Sequence, residues 1–101
     1  MSVIANFLVR ILGFVNFLLT AYVWMIIGRA IISWVNADPY NPIVRFLHEV
    51  TEPALIRVRR LLPFASAMGG IDLTPLILIF AIYFIQQVII PTLQQMILAI
   101  V

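Results

Sequence analysis

The chain has 101 residues, of which 64% are hydrophobic and only 10% are charged, with a mean hydropathy of +1.16. A typical soluble domain is about 45–50% apolar and about 25% charged, so the composition excludes an ordinary soluble domain and predicts a single membrane domain. The net charge is +2 and there is no cysteine, which rules out disulfide, thiolate and iron–sulfur chemistry.

Two uncharged stretches, residues 11–28 and 73–101, flank a middle segment that carries nine of the ten charged residues. The first stretch predicts a transmembrane helix over about residues 3–35. Arg10 and Arg29 are 19 residues apart, or about 28 Å along a helix, so they can reach opposite interfaces. Trp34 fits the aromatic belt beyond Arg29. The segment before Arg10 has no basic side chain, so a cleaved signal peptide is not expected.

The middle segment predicts two short amphipathic helices that lie in the membrane interface. Asn41-Pro42 fits an N-cap and first helical position for a helix over about 42–50. Pro53 biases Glu52 away from the helical region and predicts a fresh start, giving a second helix over about 53–62 that Pro63 ends. At about ten residues each, both helices are too short to span a bilayer.

The second transmembrane helix is predicted over about residues 75–98. Gly69-Gly70 marks the loop before it, and Thr74 with Pro75 is the simplest start, with Asp72 as a competing cap. Pro91 is expected to kink the far end. Arginine is concentrated between the spans, so the positive-inside rule predicts a cytoplasmic connection and both termini outside.

Arg29 and Asp72 lie where each span meets the middle segment, and they predict an ion pair that, with Ser33, fixes the spans against each other. Snorkelling of Arg29 and capping by Asp72 is the alternative. His48 with Glu49 and Glu52 is weak ligation for zinc, which takes three or four protein ligands, and helix-face pairs are the favoured interpretation.

Three amides, those of Asn16, Gln86 and Gln87, are placed well inside the spans. Hydrogen bonding between helices explains them best, and a water or ion path through an oligomer is the alternative. No nucleophile–histidine arrangement or phosphate loop occurs, so no catalytic, metal or cofactor site is expected. Nucleic-acid binding is not expected either, because no folded basic domain is available.

Several sequence blocks over about residues 20–95 resemble those of the YggT family and occur in the same order. The family consists of small bacterial inner-membrane proteins with chloroplast relatives, and this chain resembles its single-repeat form. The blocks are Arg29-Ala-Ile-Ile-Ser-Trp34, Asn41-Pro-Ile-Val-Arg-Phe-Leu47, Thr51-Glu-Pro-Ala-Leu-Ile-Arg57, Arg59-Arg-Leu-Leu-Pro63 and Gly69-Gly-Ile-Asp-Leu-Thr-Pro75. The resemblance implies two transmembrane helices and an organising or assembly role, with links to cell division, osmotic stress and cytochrome maturation.

The expected function is therefore that of a non-enzymatic scaffold or assembly factor in the bacterial inner membrane, with other membrane proteins or further copies as partners. Arg57, Arg59 and Arg60 are expected to contact anionic lipid headgroups, at about 1 kcal/mol each. Thr51-Glu52-Pro53 and Gly69-Gly70 would shape the connection. An oligomeric channel or transport-associated protein is the alternative.

Overall fold

The structure is a computed structural model that describes residues 2–35, 38–66 and 73–100. Its helices are α1 (Val3–Val35), α2 (Pro42–Leu61), α3 (Thr74–Phe84) and α4 (Ile90–Ile100), with a 3₁₀ turn at Pro63–Ser66 and a π-helical turn at Ile85–Ile89. These described ranges contain no strand. The predicted all-α fold with two spans is confirmed.

Two helices, α1 and the continuous second span Thr74–Ile100, are long and apolar enough to cross a membrane. Only Ala5 and Ile26 are buried among the 33 residues of α1. In the second span the buried residues are Thr74, Leu78, Ile82 and Ile90. A core helix of a soluble protein would bury most of such a surface. The outward-facing apolar side chains therefore indicate a membrane protein.

Helix α2 begins where the sequence predicts. The Asn41 side chain caps it by accepting a hydrogen bond from the Ile43 N–H at 2.9 Å, and Pro42 takes the first turn, where its missing N–H costs nothing. Arg59 and Arg60 occupy the last turn, where positive charge is favourable.

The predicted break between two short helices at Pro53 is wrong, because α2 continues unbroken from Pro42 to Leu61. Proline inside a helix costs about 3 kcal/mol and leaves the carbonyl of Glu49 without its usual donor. Thr51 and Leu55 are both fully buried on either side of it, and packing of this kind can offset that cost.

The second span contains its irregularity before Pro91. Across the π-helical turn Ile85–Ile89, the N–H of Ile90 donates to the carbonyl of Ile85, five residues back. Pro91 follows directly as the second residue of α4, and it has no N–H to donate to the turn before it. The start of α3 also differs slightly from prediction, since Leu73 takes the cap position without a side-chain bond and Thr74 is the first helical residue.

The core lies where α1, α2 and α3 meet. Ile26, Leu55, Leu78 and Ile82 form its buried centre. Helix α2 contacts both spans, and α1 runs alongside α4 beyond that crossing. This arrangement places the middle of α2 against the last third of α1.

Candidate functional site

The face of α1 toward α2 carries a tyrosine, an isoleucine and an arginine at helical spacing. Tyr22, Ile26 and Arg29 follow the i, i+4, i+7 pattern, which places them on one side of a helix. Ile26 is fully buried in the core, and the polar residues lie one turn to either side of it. Each of these polar residues bonds to α2.

Arg29 forms the centre of the polar contact. Its side chain is only 14% exposed, and Nη1 donates to Oγ1 of Thr51 at 2.9 Å. Thr51 is fully buried, and its hydroxyl donates in turn to the carbonyl of Leu47 at 2.7 Å. A threonine hydroxyl offers one donor and accepts elsewhere, so both of its capacities are used here.

Glu52 supplies the negative charge. Its Oε2 forms an ion pair with Nη2 of Arg29, and its Oε1 accepts from Nη1 of Arg59 at 3.4 Å. Glu52 is 39% exposed and Arg59 is 32% exposed, so the longer pair is the weaker one. We refer to Arg29, Thr51, Glu52 and Arg59 as the arginine junction.

A second polar contact joins α1 to α2 on the other side of Ile26 from Arg29. The hydroxyl of Tyr22 donates to the carbonyl of Val50 at 2.9 Å. Because Tyr22 and Arg29 are about 10 Å apart along α1 yet reach adjacent residues of α2, α2 must cross α1 between them. Tyr22 was not among the residues predicted from the sequence, although its spacing from Ile26 and Arg29 is the signal that marks this face.

The predicted Arg29–Asp72 pair and the Gly69-Gly70 turn lie outside the described residues. Within the described part, the counter-charge of Arg29 is Glu52 on the neighbouring helix. Glu52 does not cap a new helix, because α2 passes through it. The sequence therefore located Arg29 and Glu52 as candidates without placing them together.

A groove lies beside the arginine junction, between α1, α2 and the start of α3. Its volume is about 830 Å³. Arg29, Arg59 and His48 line it together with Ser33 and Trp34, and apolar residues of α1 and α3 complete the walls. Pro75 borders it. Trp34 is 83% exposed, and Ser33 beside it is also exposed, so both adjoin the groove.

The outer surface of α2 is both basic and apolar. Arg45, Arg57 and Arg60 are exposed, as are the apolar residues Ile43 and Phe46. Val44 is buried against the protein, so the inward face of α2 includes Val44 and leaves Ile43 and Phe46 outside it. This surface can meet lipid headgroups or a partner without unfolding the core.

The charged residues that the structure describes do not gather into a metal site. No group of three or more His, Cys, Asp or Glu side chains suited to a metal ion occurs within residues 2–35, 38–66 and 73–100. His48 and Glu49 are exposed on α2, and Glu52 is engaged by arginine. The helix-face pairs of His48 with Glu52 and Arg45 with Glu49 do not form in this described part.

Two glutamine amides inside the spans donate to the backbone or a hydroxyl of α1. Nε2 of Gln86 donates to the carbonyl of Asn16 at 3.1 Å and to Oγ1 of Thr20 at 2.7 Å. Nearer the far end, Nε2 of Gln94 donates to the carbonyl of Val9 at 3.3 Å. Gln86 therefore joins the two spans, as hydrogen bonding between helices predicted, and Gln94 is a further contact that the sequence reasoning missed.

Similarity to known proteins agrees with this architecture. The YggT protein of Escherichia coli (strain K12), named as uncharacterized, is 41% identical over 71 residues, which cover 70% of this chain and 36% of the relative. Uncharacterized protein PA0392 of Pseudomonas aeruginosa is 31% identical over 86 residues, covering 85% of this chain and 42% of the relative. A Vibrio alginolyticus protein, described as an uncharacterized protein in the proC 3' region, is 39% identical over 61 residues, covering 60% and 31%.

The matched region thus spans between 31% and 42% of the length of these curated relatives. No solved structure matches the chain. The model of one family, CCB3/YggT, matches residues 5–93, which include most of α1, the arginine junction, α2, α3 and the π-helical turn. The chain belongs to the CCB3/YggT family.

Proposed function

We propose that this protein is a non-enzymatic scaffold of the bacterial inner membrane, which holds α2 at the membrane surface as a docking helix for other membrane proteins. The observation that carries the proposal is the arginine junction together with the Tyr22–Val50 bond. These contacts fix one face of α2 to α1 and leave its opposite face exposed.

The exposed face of α2 has the composition that such a role requires. Arg45, Arg57 and Arg60 carry positive charge, while Ile43 and Phe46 offer apolar contact area. Near anionic lipids each arginine contributes about 1 kcal/mol. A helix with this composition binds the interface and a protein partner that shares the interface. A docking helix of this kind would serve the assembly of a larger membrane complex or of the cell-division machinery.

Site-specific photo-crosslinking in native membranes tests the role. A crosslinking amino acid at Phe46, on the exposed face of α2, is expected to give discrete protein adducts. The matched control is Phe14, an equally apolar and exposed residue of α1, which is expected to give lipid adducts only. A docking role for α2 would be contradicted if Phe46 gave no protein adducts. It would also be contradicted if Phe46 and Phe14 gave protein adducts of equal strength.

The proposed orientation places α2 in the cytoplasm and both ends of the spans outside, following the arginine bias. Because the chain has no cysteine, single substitutions report on each side without background. Glu49→Cys on α2 and Ile100→Cys at the end of α4 should react with an impermeant maleimide from opposite sides. Reaction of Glu49→Cys from the outer side would overturn this orientation.

A further inference from the structure

Gln87 lies at the middle of the second span. It is 13 residues from Thr74 and 13 from Ile100, the two ends of that span. At about 1.5 Å per residue, each end is about 20 Å away. The bonds from the adjacent Gln86 reach Asn16 and Thr20, on either side of the midpoint of α1. Both spans therefore place Gln87 near the centre of the bilayer.

At this depth the Gln87 side chain faces away from the protein. It is exposed and makes no hydrogen bond within the ranges that the structure describes. A primary amide has two N–H donors and an acceptor oxygen, and hydrocarbon offers no partner to any of them. The interface is about 15 Å away, beyond the reach of a glutamine side chain.

The residues around Gln87 are also exposed, and they include a second polar side chain without a hydrogen bond in the described structure. Phe84 and Val88 are exposed apolar neighbours, which suit lipid or a packed helix. Tyr83, one turn earlier, is 59% exposed and also makes no hydrogen bond in the described structure. Two polar groups thus follow each other along a face of the second span that is otherwise apolar.

We propose that this face binds a second copy of the chain, with the two Gln87 amides hydrogen-bonded to each other across a two-fold axis along the membrane normal. An amide is self-complementary, because the N–H of each copy can donate to the carbonyl oxygen of the other. A two-fold axis brings the same surface of both copies together. Copies inserted in one orientation hold both amides at one depth, so the second copy supplies the missing partner.

Gln86 and Gln87 are neighbours in the sequence, but their side chains have different partners. Gln86 points inward and joins the spans of one chain. Gln87 points outward and joins two chains. The pairing of Gln87 is independent of the docking role of α2, since α2 contacts α1 and α3 and Gln87 lies beyond α3, in the π-helical turn.

Dimerisation in lipid vesicles tests the proposal. Protein labelled through Ile100→Cys is reconstituted at a series of protein-to-lipid ratios, and energy transfer gives the dissociation constant of the dimer. Gln87→Leu keeps the size of the side chain and removes the amide, and it is expected to weaken dimerisation about tenfold. Asn6→Leu, which removes an exposed amide near the start of α1, is the matched control and is expected to leave dimerisation unchanged.

Three results would overturn the inference. The wild-type protein could remain monomeric at every ratio, or Gln87→Leu could dimerise as tightly as wild type. The third is that Val88→Cys, next to the pairing position, forms disulfide or photochemical adducts in native membranes with a different protein and never with itself. A self-adduct of Val88→Cys that is lost on adding Gln87→Leu supports the dimer.

Discussion

Nη1 of Arg29 and Oγ1 of Thr51 lie 2.9 Å apart, and through that hydroxyl the charge of α1 is connected to the Leu47 carbonyl of α2. Thr51 is therefore the link between a mostly buried arginine of α1 and the backbone of the helix that crosses it. Without this acceptor, one arm of the guanidinium would be left unpaired in a place where water is scarce.

Thr51→Val should destabilise the protein by about 1–3 kcal/mol, because it keeps the volume of the side chain but removes the acceptor for Arg29. Unfolding by sodium dodecyl sulfate in mixed micelles measures the change. Thr51→Ser, which keeps the hydroxyl, is the control and should lose less. Equal stability of Thr51→Val and wild type would contradict the role given to this hydroxyl.

Glu52→Gln should lower the free energy of unfolding more than Arg59→Gln does. Arg29 is mostly buried and Glu52 is its counter-charge, whereas Arg59 is more exposed and its distance to Glu52 is longer. A double-mutant cycle of Glu52→Gln with Arg29→Met measures the coupling, which should be at least about 1 kcal/mol. Asp72→Asn decides between the two proposed partners: an effect as large as that of Glu52→Gln would show that Asp72 shares the charge of Arg29.

Gln86→Leu should weaken the association of the two spans by about 0.6–1.7 kcal/mol, the range measured for hydrogen bonds between membrane helices. The loss is measured by the same unfolding assay, with Gln95→Leu as the control. If the amides instead line a path for ions, reconstituted wild-type protein would conduct and Gln86→Leu would not. Flux of that kind would favour the channel alternative over the scaffold.

Pro53→Ala should raise stability, because proline is about 3 kcal/mol less favourable than alanine inside a helix and α2 is continuous through this exposed position. The increase would be visible as a higher midpoint of unfolding. A loss of stability would instead show that a local bend at Pro53 is needed for α2 to contact both spans.

The sequence predicted the elements whose signals are local. Asn41-Pro42 marks the start of α2, and charge-free length marks both spans. The heptad-like face of α1 could also have been found in advance, since its buried and half-buried residues recur at alternating spacings of four and three: Ala5, Val9, Leu12, Asn16, Leu19, Val23 and Ile26.

What could not be predicted depended on contacts between distant residues. The proline signal at Pro53 is strong locally, but the packing of Thr51 and Leu55 on the spans overrides it. Arg29 was expected to need a carboxylate, yet nothing in the spacing between α1 and α2 shows that the crossing brings Glu52 to it. The choice of partner is set by the crossing of the helices.

The wide turn at Ile85–Ile89 also determines which side of the second span meets α1. The residues that face inward recur strictly every fourth position, as Thr74, Leu78, Ile82, Gln86, Ile90 and Gln94. In an unbroken α-helix each such step drifts by about 40°, so five steps would carry Gln94 about 200° around the axis from Thr74. A turn that takes up extra residues counters this drift and returns the stripe toward its neighbour. Deleting one residue there should therefore rotate Ile90 and Gln94 away from α1 while leaving the helix intact, uncoupling the far halves of the two spans without touching the end that holds α2.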